Sequence, residues 1–324
     1  MKVIPYVRNT KIGKPGVYVG VPMALYHGEL CVGPSVSSSG LRTISDESPA
    51  HYYVDSYLNP DREEQEPSEA FILGRATHCI ILGDEVFSTQ FIMRPEKIGT
   101  EAWQSNKTIC KQWLKDQVGE GRTVLLSSQI KQIRGMAHSL ARHPLVQAGI
   151  LNGLVEHSMV WKDKETGVWV KARPDTIPND SGDFSDLKTT VSVGAVELMR
   201  TMAECAYHQQ AALIGEGFEV LTGQKMTSFN LVFVEKKPPY CTRIVTLKDC
   251  DLVRGQQQNR FAIRTFADCV ARGEWPGPGS DDAEYMELPG WKQTQIDNRL
   301  QFLSGKPAAL AEPETSGADN LAAG

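Results

Sequence analysis

The stretch "DFSDLKTT" (183–190) places two aspartates, a lysine and two threonines in eight positions. Its alternation of apolar and polar residues is that of a strand. In a strand, positions i and i+2 point to one face, so Asp186 and Lys188 project together while Leu187 turns the other way. A buried ion pair alone is a poor reason for such an arrangement, because desolvating two charges offsets most of what their attraction returns. A carboxylate and an ammonium on one strand face have a chemical use when a second acid stands nearby. Asp175, in "ARPDTIP", precedes Asp186 by one strand. Antiparallel pairing of the two strands would set these acids side by side. Paired carboxylates hold a hard divalent cation, which polarises a phosphate, and a lysine beside them positions water or stabilises the phosphoryl charge. A structural ion pair is the competing reading, and glycosidase chemistry on Asp175 and Asp186 would leave Lys188 unused. The same short pattern recurs at Glu235–Lys237 in "VEKKPP", where the prolines mark a solvated strand end.

Around this strand the order of elements is legible. "LVEHSMVWKD" and "GVWVKARPDTIP" are β-rich runs joined by the turn "DKETG". The run 193–218 has the pattern of one long helix, and "TSFNLVFVEKK" and "YCTRIVTL" follow as strands before a helix over 248–273. Upstream, helices are expected at 69–87, 102–117 and 128–142, with a short one capped near Ser38. Helix, three strands, helix, strand fits an α/β or α+β sheet flanked by helices. The expected division is an extended lead-in over 1–66 packed on the core, a main domain over 67–303 and a disordered tail over 304–324.

Composition narrows the function classes. The chain has 324 residues, 41% of them hydrophobic, and no apolar run long enough for a membrane span or a secretory leader, so a cytoplasmic location is expected. None of its 7 cysteines forms a C-x-x-C pair, which speaks against zinc ribbons and clustered iron–sulfur ligation and for reduced thiols. A net charge of −5 argues against nonspecific coating of nucleic acid by the whole surface. Lysines and arginines do concentrate between 107 and 142, as a solvated helix face or as one that meets DNA.

"RPD…DLKTT" in this order of elements resembles the PD-(D/E)-x-K nuclease core, αβββαβ. More narrowly, the chain resembles the phage and prophage exodeoxyribonuclease VIII (RecE-like) group of the RecB-type branch. The match is carried by "SVSSSGLRTISDESPAHYY", "GRATHCIILGDEVF", the hairpin and strand already quoted, "YHQQAALI" and "LPGW". That resemblance implies a Mg²⁺-dependent exodeoxyribonuclease, with Mn²⁺ as a substitute, acting on the ends of double-stranded DNA. It implies digestion of one strand from 5′ ends, leaving 3′ single strands for a strand-annealing partner protein in recombination, and a ring-shaped homo-oligomer in the cytoplasm of a bacterial host. Asp175 and Asp186 match the metal-binding acids, Lys188 the catalytic lysine, His78 a histidine ligand from the preceding helix, and the Leu187 carbonyl a backbone ligand. Tyr207 and Gln210, three apart on one helix face, match the Y-x-x-Q pair that orients the lysine, the metal or a DNA phosphate. Glu156, in "VEHS", sits where relatives can place another acid, or forms a strand-edge salt bridge. An endonuclease on the same core, or a silent DNA-binding scaffold, are the alternatives.

Overall fold

A run with the alternation of residues 228–235, "SFNLVFVE", must be a central strand, since its inner positions are apolar on both faces. In the computed structural model it is the middle of a three-stranded sheet, and the other elements arrange themselves around it. The structure describes residues 2–63, 68–83, 87–280 and 282–304.

The lead-in supplies three strands, β1 (Val3–Pro5), β2 (Gly16–Val19) and β3 (Ser35–Ser37), and three helices, α1 (Met23–Tyr26), α2 (Ser38–Asp46) and α3 (Pro49–Val54). Ser37 caps α2 by accepting the N–H of Gly40, one residue before the expected position. Helix α4 (Glu69–Ile81) follows, capped by Ser68, then α5 (Phe87–Gln90). Residues 64–67 and 84–86, part of the expected linker and helix end, lie outside the described residues.

Short strands β4 (Phe91–Met93), β5 (Lys97–Ile98), β6 (Glu101–Ala102) and β7 (Thr123–Leu125) surround α6 (Thr108–Gly119), and α7 (Ser127–Ala141) and α8 (Pro144–Gln147) complete this flank. The helix expected from residue 102 starts at Thr108, because Glu101 and Ala102 pair with Ile98 and Lys97 instead.

Strands β8 (Leu154–Val155), β9 (Ser158–Lys162), β10 (Trp169–Ala172), β11 (Thr176–Ile177) and β12 (Asp183–Thr190) come next. Helices α9 (Ala195–Glu204) and α10 (Tyr207–Thr222) precede β13 (Ser228–Glu235), β14 (Thr242–Thr246) and α11 (Asp249–Arg272). The single helix expected over 193–218 is therefore two. Ala206, left-handed at φ 46°, breaks it where no glycine or proline announces a break.

Two sheets meet rather than one. The order β1-β2-β9-β10-β3 holds the β9–β10 hairpin at its centre, with β3 parallel to β10. The second sheet runs β12-β13-β14, with β12 parallel to β13 and β14 antiparallel. The expected antiparallel pairing that would align Asp175 with Asp186 does not form, since β12's partner is β13. The β10 segment bends after Ala172 and resumes as β11, which pairs with β8 and reaches β12 through the Thr176 hydroxyl, bonded to the Ser185 carbonyl at 3.4 Å. Gly153 is required here, because a Cβ would lie 2.3 Å from the Ile177 carbonyl oxygen.

Alternate faces of the second sheet pack on different helices. Phe184, Leu231 and Phe233 join the core shared with α10 and α11, while Leu187, Val232 and Val234 pack with Ala76 of α4 and with Ile133 and Met136 of α7. Helix α11 lies close enough to α10 that a Cβ on Gly255 would meet the His208 carbonyl oxygen at 2.5 Å. The first compact unit ends at Pro278, so the span 67–303 drawn from the sequence falls in two units. The second unit begins at Gly279 and carries α12 (Gly290–Leu303). Of the expected tail, all but Ser304 lies outside the described residues. No described helix is long and apolar enough to cross a membrane, and all seven cysteines are free thiols.

Candidate metal centre and phosphodiester site

Strand β12 is the edge of its sheet, and three segments converge on it. From its own sequence come Asp186, 1% exposed, and Lys188, whose ammonium pairs with the Asp186 Oδ2. The two side chains meet on the face that period-2 alternation dictates. Across that face lies the first turn of α10. Gln210 bridges the pair, its Nε2 donating to Asp186 Oδ1 at 3.1 Å and its Oε1 accepting from Lys188 Nζ at 3.5 Å. The Tyr207 ring stands 4.8 Å from the ammonium, in cation–π range. The break at Ala206 produces this turn, and Arg42 of α2 holds the break by donating to the Cys205 carbonyl at 2.5 Å. Arg42 was not singled out in the sequence. Its place in "SSSGLR" carries no signal, because its partner is a backbone carbonyl far along the chain.

The second acid arrives by another route. Asp175 occupies the bend between β10 and β11, and its Oδ2 accepts the Leu187 N–H at 2.6 Å. That bond stands in for the ladder pairing that does not form, and it uses Leu187's amide. Asp175 Oδ1 lies 3.2 Å from Nδ1 of His78, which α4 presents from the opposite face of the sheet. Glu156 follows β8 in a left-handed conformation, φ 54°, and so is not the strand residue expected. Its N–H donates to the Asp175 carbonyl at 3.1 Å. A non-glycine residue held at positive φ costs on the order of 1 kcal/mol, and such strain collects at functional positions. Its effect is to bring a third donor in: His78, Glu156 and Asp175 each offer one ligand atom within 4.8 Å of the others.

Two carboxylates and an imidazole fit a divalent cation, and the set is of mixed hardness, oxygen with nitrogen, which suits Mn²⁺ at least as well as Mg²⁺. The electrostatics agree with that use. Burial would lift the Asp175 carboxyl, but the adjacent His78, then Lys188 and the Leu187 N–H, hold it below the usual range. Burial would likewise depress His78, and the Asp175 carboxylate outweighs it, so its pKa is raised. Asp186 is pushed up by burial and by the Asp175 charge, against the opposing pull of Lys188. Two acids driven in opposite directions within one site is the pattern that a bound cation would relieve.

Thr190 donates to the Ser192 carbonyl at 3.1 Å, a turn contact. The second acid-x-lysine pattern is structural: Glu235 accepts the N–H groups of Val193 at 3.1 Å and Cys241 at 3.3 Å, tying two loops together. Of the basic residues between 107 and 142, Lys111, Lys115, Lys131, Arg134 and Arg142 are exposed on α6 and α7 or just beyond, while Lys107 and Arg122 pair with Glu101 and Glu120.

Residues 37–289 match the family model of a PDDEXK-like domain of unknown function (DUF3799). An exonuclease candidate from Eubacterium rectale has a similar solved structure, at TM-score 0.53 and 16% identity, covering 84% of this chain and 94% of that one. An alkaline exonuclease from Laribacter hongkongensis aligns at TM-score 0.24 and 11% identity, over 52% of this chain and 87% of its own. No curated protein matches the sequence. The Eubacterium likeness shows a shared fold, and with the family match it identifies the mixed α/β architecture as a PD-(D/E)XK core.

Proposed function

We propose that this chain, which belongs to the PDDEXK-like family matched over residues 37–289, is a divalent-metal-dependent deoxyribonuclease. The observation that carries the reading is the junction of two sets of groups at one strand edge. The His78, Glu156 and Asp175 donors lie on one side, and Asp186, Lys188 and Gln210 on the other. The cation would be held by the first set, with Asp186 and the Leu187 carbonyl completing it, and would supply Lewis-acid polarisation of the scissile phosphate.

The protein's own groups do the rest. Lys188 holds a positive charge at the site, where it hydrogen-bonds a phosphate oxygen or the attacking water. Gln210 fixes both the ammonium and the Asp186 carboxylate, so the lysine is aimed before substrate arrives. Tyr207 walls the ammonium from solvent on the α10 side. Asp175 locks onto the strand through the Leu187 amide, which removes a degree of freedom from the donor set.

The finer reading follows the resemblance to exodeoxyribonuclease VIII. The substrate is a linear duplex end, one strand is removed from its 5′ end, and the 3′ single strand passes to an annealing partner. A ring of subunits would confine the basic surface to an inner channel, reconciling DNA binding with a net charge of −5. Linear duplex labelled separately at each 5′ and 3′ end, with and without Mg²⁺, tests this, beside a covalently closed circle. Metal-dependent loss of the 5′ label with the circle untouched supports the exonuclease. Cutting of the circle would make the chain an endonuclease, and inertness in both metals would leave only a binding role.

A further inference from the structure

Lys171 is 2% exposed, and among the described residues no carboxylate pairs with it. Its ammonium makes one hydrogen bond, to the Gly28 carbonyl at 3.3 Å, and lies between the rings of Tyr26 and Tyr57, 5.5 and 5.3 Å away. Burying a cation without an anion is expensive. This one borders a cavity of about 270 Å³, formed by β3, α2, α3 and the turn after it. The wall also carries the cationic or proton-accepting groups His27, His51 and Arg62. Their mutual field is strong. Burial, then Lys171, Arg173 and Arg62, depress His27, and burial pulls Lys171 down to about 8.

Hydroxyls of Ser37 and Ser39, 3.0 Å apart, line the same wall, as does the ring of Tyr52. One carboxylate, Asp55, is among the lining residues. A bare inorganic anion would use the cations and hydroxyls but would be repelled by Asp55. A ligand with a phosphate at one end and a hydrogen-bond donor at the other would use both, with an aromatic face for a base. The volume is several times that of a phosphate and suits one nucleotide.

We infer that this cavity binds a phosphorylated nucleotide, its phosphate against Lys171 and Arg62 and its base or sugar toward Tyr52 and Asp55. The site uses none of the groups placed at the metal centre, and it stands whether or not the chain cuts DNA. The nucleotide has two sources, a free nucleoside monophosphate or the phosphorylated terminal nucleotide of a DNA strand.

The test is calorimetric titration of the full chain in EDTA with 5′-dAMP, deoxyadenosine, inorganic phosphate, and hairpin DNA bearing either a 5′-phosphate or a 5′-hydroxyl. The expected result is binding of 5′-dAMP at least tenfold tighter than deoxyadenosine or phosphate, weakened at least tenfold by Lys171→Met and by Arg62→Glu. Arg62 is exposed, so its variant keeps the fold and the test stands even if Lys171→Met misfolds. A tenfold preference for the 5′-phosphorylated hairpin, lost in Arg62→Glu, assigns the pocket to DNA ends, and its absence beside tight dAMP binding assigns it to the free nucleotide. Equal binding of dAMP and deoxyadenosine, no binding of any phosphate, or an Arg62→Glu variant that binds as wild type would overturn the proposal.

Discussion

Strands β12 and β13 lie side by side in parallel, residue for residue, with Asp186 opposite Leu231, Leu187 opposite Val232 and Lys188 opposite Phe233. Both are largely buried, yet one face of β12 carries a charge pair where β13 carries aliphatic and aromatic groups. A sheet of this kind needs only the pattern of β13. The charges on β12 are therefore kept against the preference of the fold, and the difference separates what stabilises the protein from what acts in it.

Substitutions on the two strands should have opposite signatures. Asp186→Asn is expected to lower cleavage of linear duplex in Mg²⁺ by on the order of a thousandfold, about 4 kcal/mol of transition-state stabilisation. Its melting temperature without metal should hold or rise at neutral pH. The carboxyl is pushed up in the folded state, so above the ordinary carboxylate range its ionisation opposes folding, and the amide removes that charge. A lower melting temperature with full activity would reverse the comparison. On β13, Phe233→Ala should cost about 3–4 kcal/mol in denaturant unfolding, the usual penalty for emptying a buried aromatic site. Its metal affinity, measured on the folded fraction, should be unchanged.

Lys188→Ala should reduce turnover about a hundredfold while calorimetric titration still shows Mn²⁺ binding, since the lysine is no ligand. A lost isotherm would assign it a structural role. His78→Ala has the smallest expected effect, a drop of roughly 10–100-fold in metal affinity. Its effect on stability depends on pH. The raised His78 pKa contributes stability that is fully present below about 6.5 and lost as pH rises through the folded value. The depressed Asp175 contributes above about 3.9 and loses it as pH falls through its folded value. The variant should therefore melt furthest below wild type in mildly acidic solution and converge with it at alkaline pH. A constant gap across pH would make His78 a packing residue.

The same two strands mark how far the sequence could be read. Asp186 and Lys188 were placed correctly on one face because strand alternation is local. The Tyr207–Gln210 pair was legible for the same reason, although the helix break before it was not. Ala206 takes a left-handed conformation held by tertiary contacts, including Arg42 on the Cys205 carbonyl. Asp175 was named from its proximity to the strand, but its actual hold, the Leu187 amide, replaces a register that the sequence alone could not exclude. The three-residue strand β3 gives no periodicity of its own, and it joins β10 from far upstream. Lys171 passed unnoticed in "WVKA" because an isolated lysine in a strand ordinarily reads as solvent-facing.

The segments that build the site are scattered, from His78 on α4 through Glu156, Asp175 and β12 to Gln210 on α10. Synthesis proceeds in that order. A ribosome-bound chain that has reached Thr190 already contains every acid, the histidine and the lysine, yet lacks α10 to aim the lysine and β13 to seat β12. The timing of translation thus keeps the catalytic groups apart until the latter part of the chain has emerged.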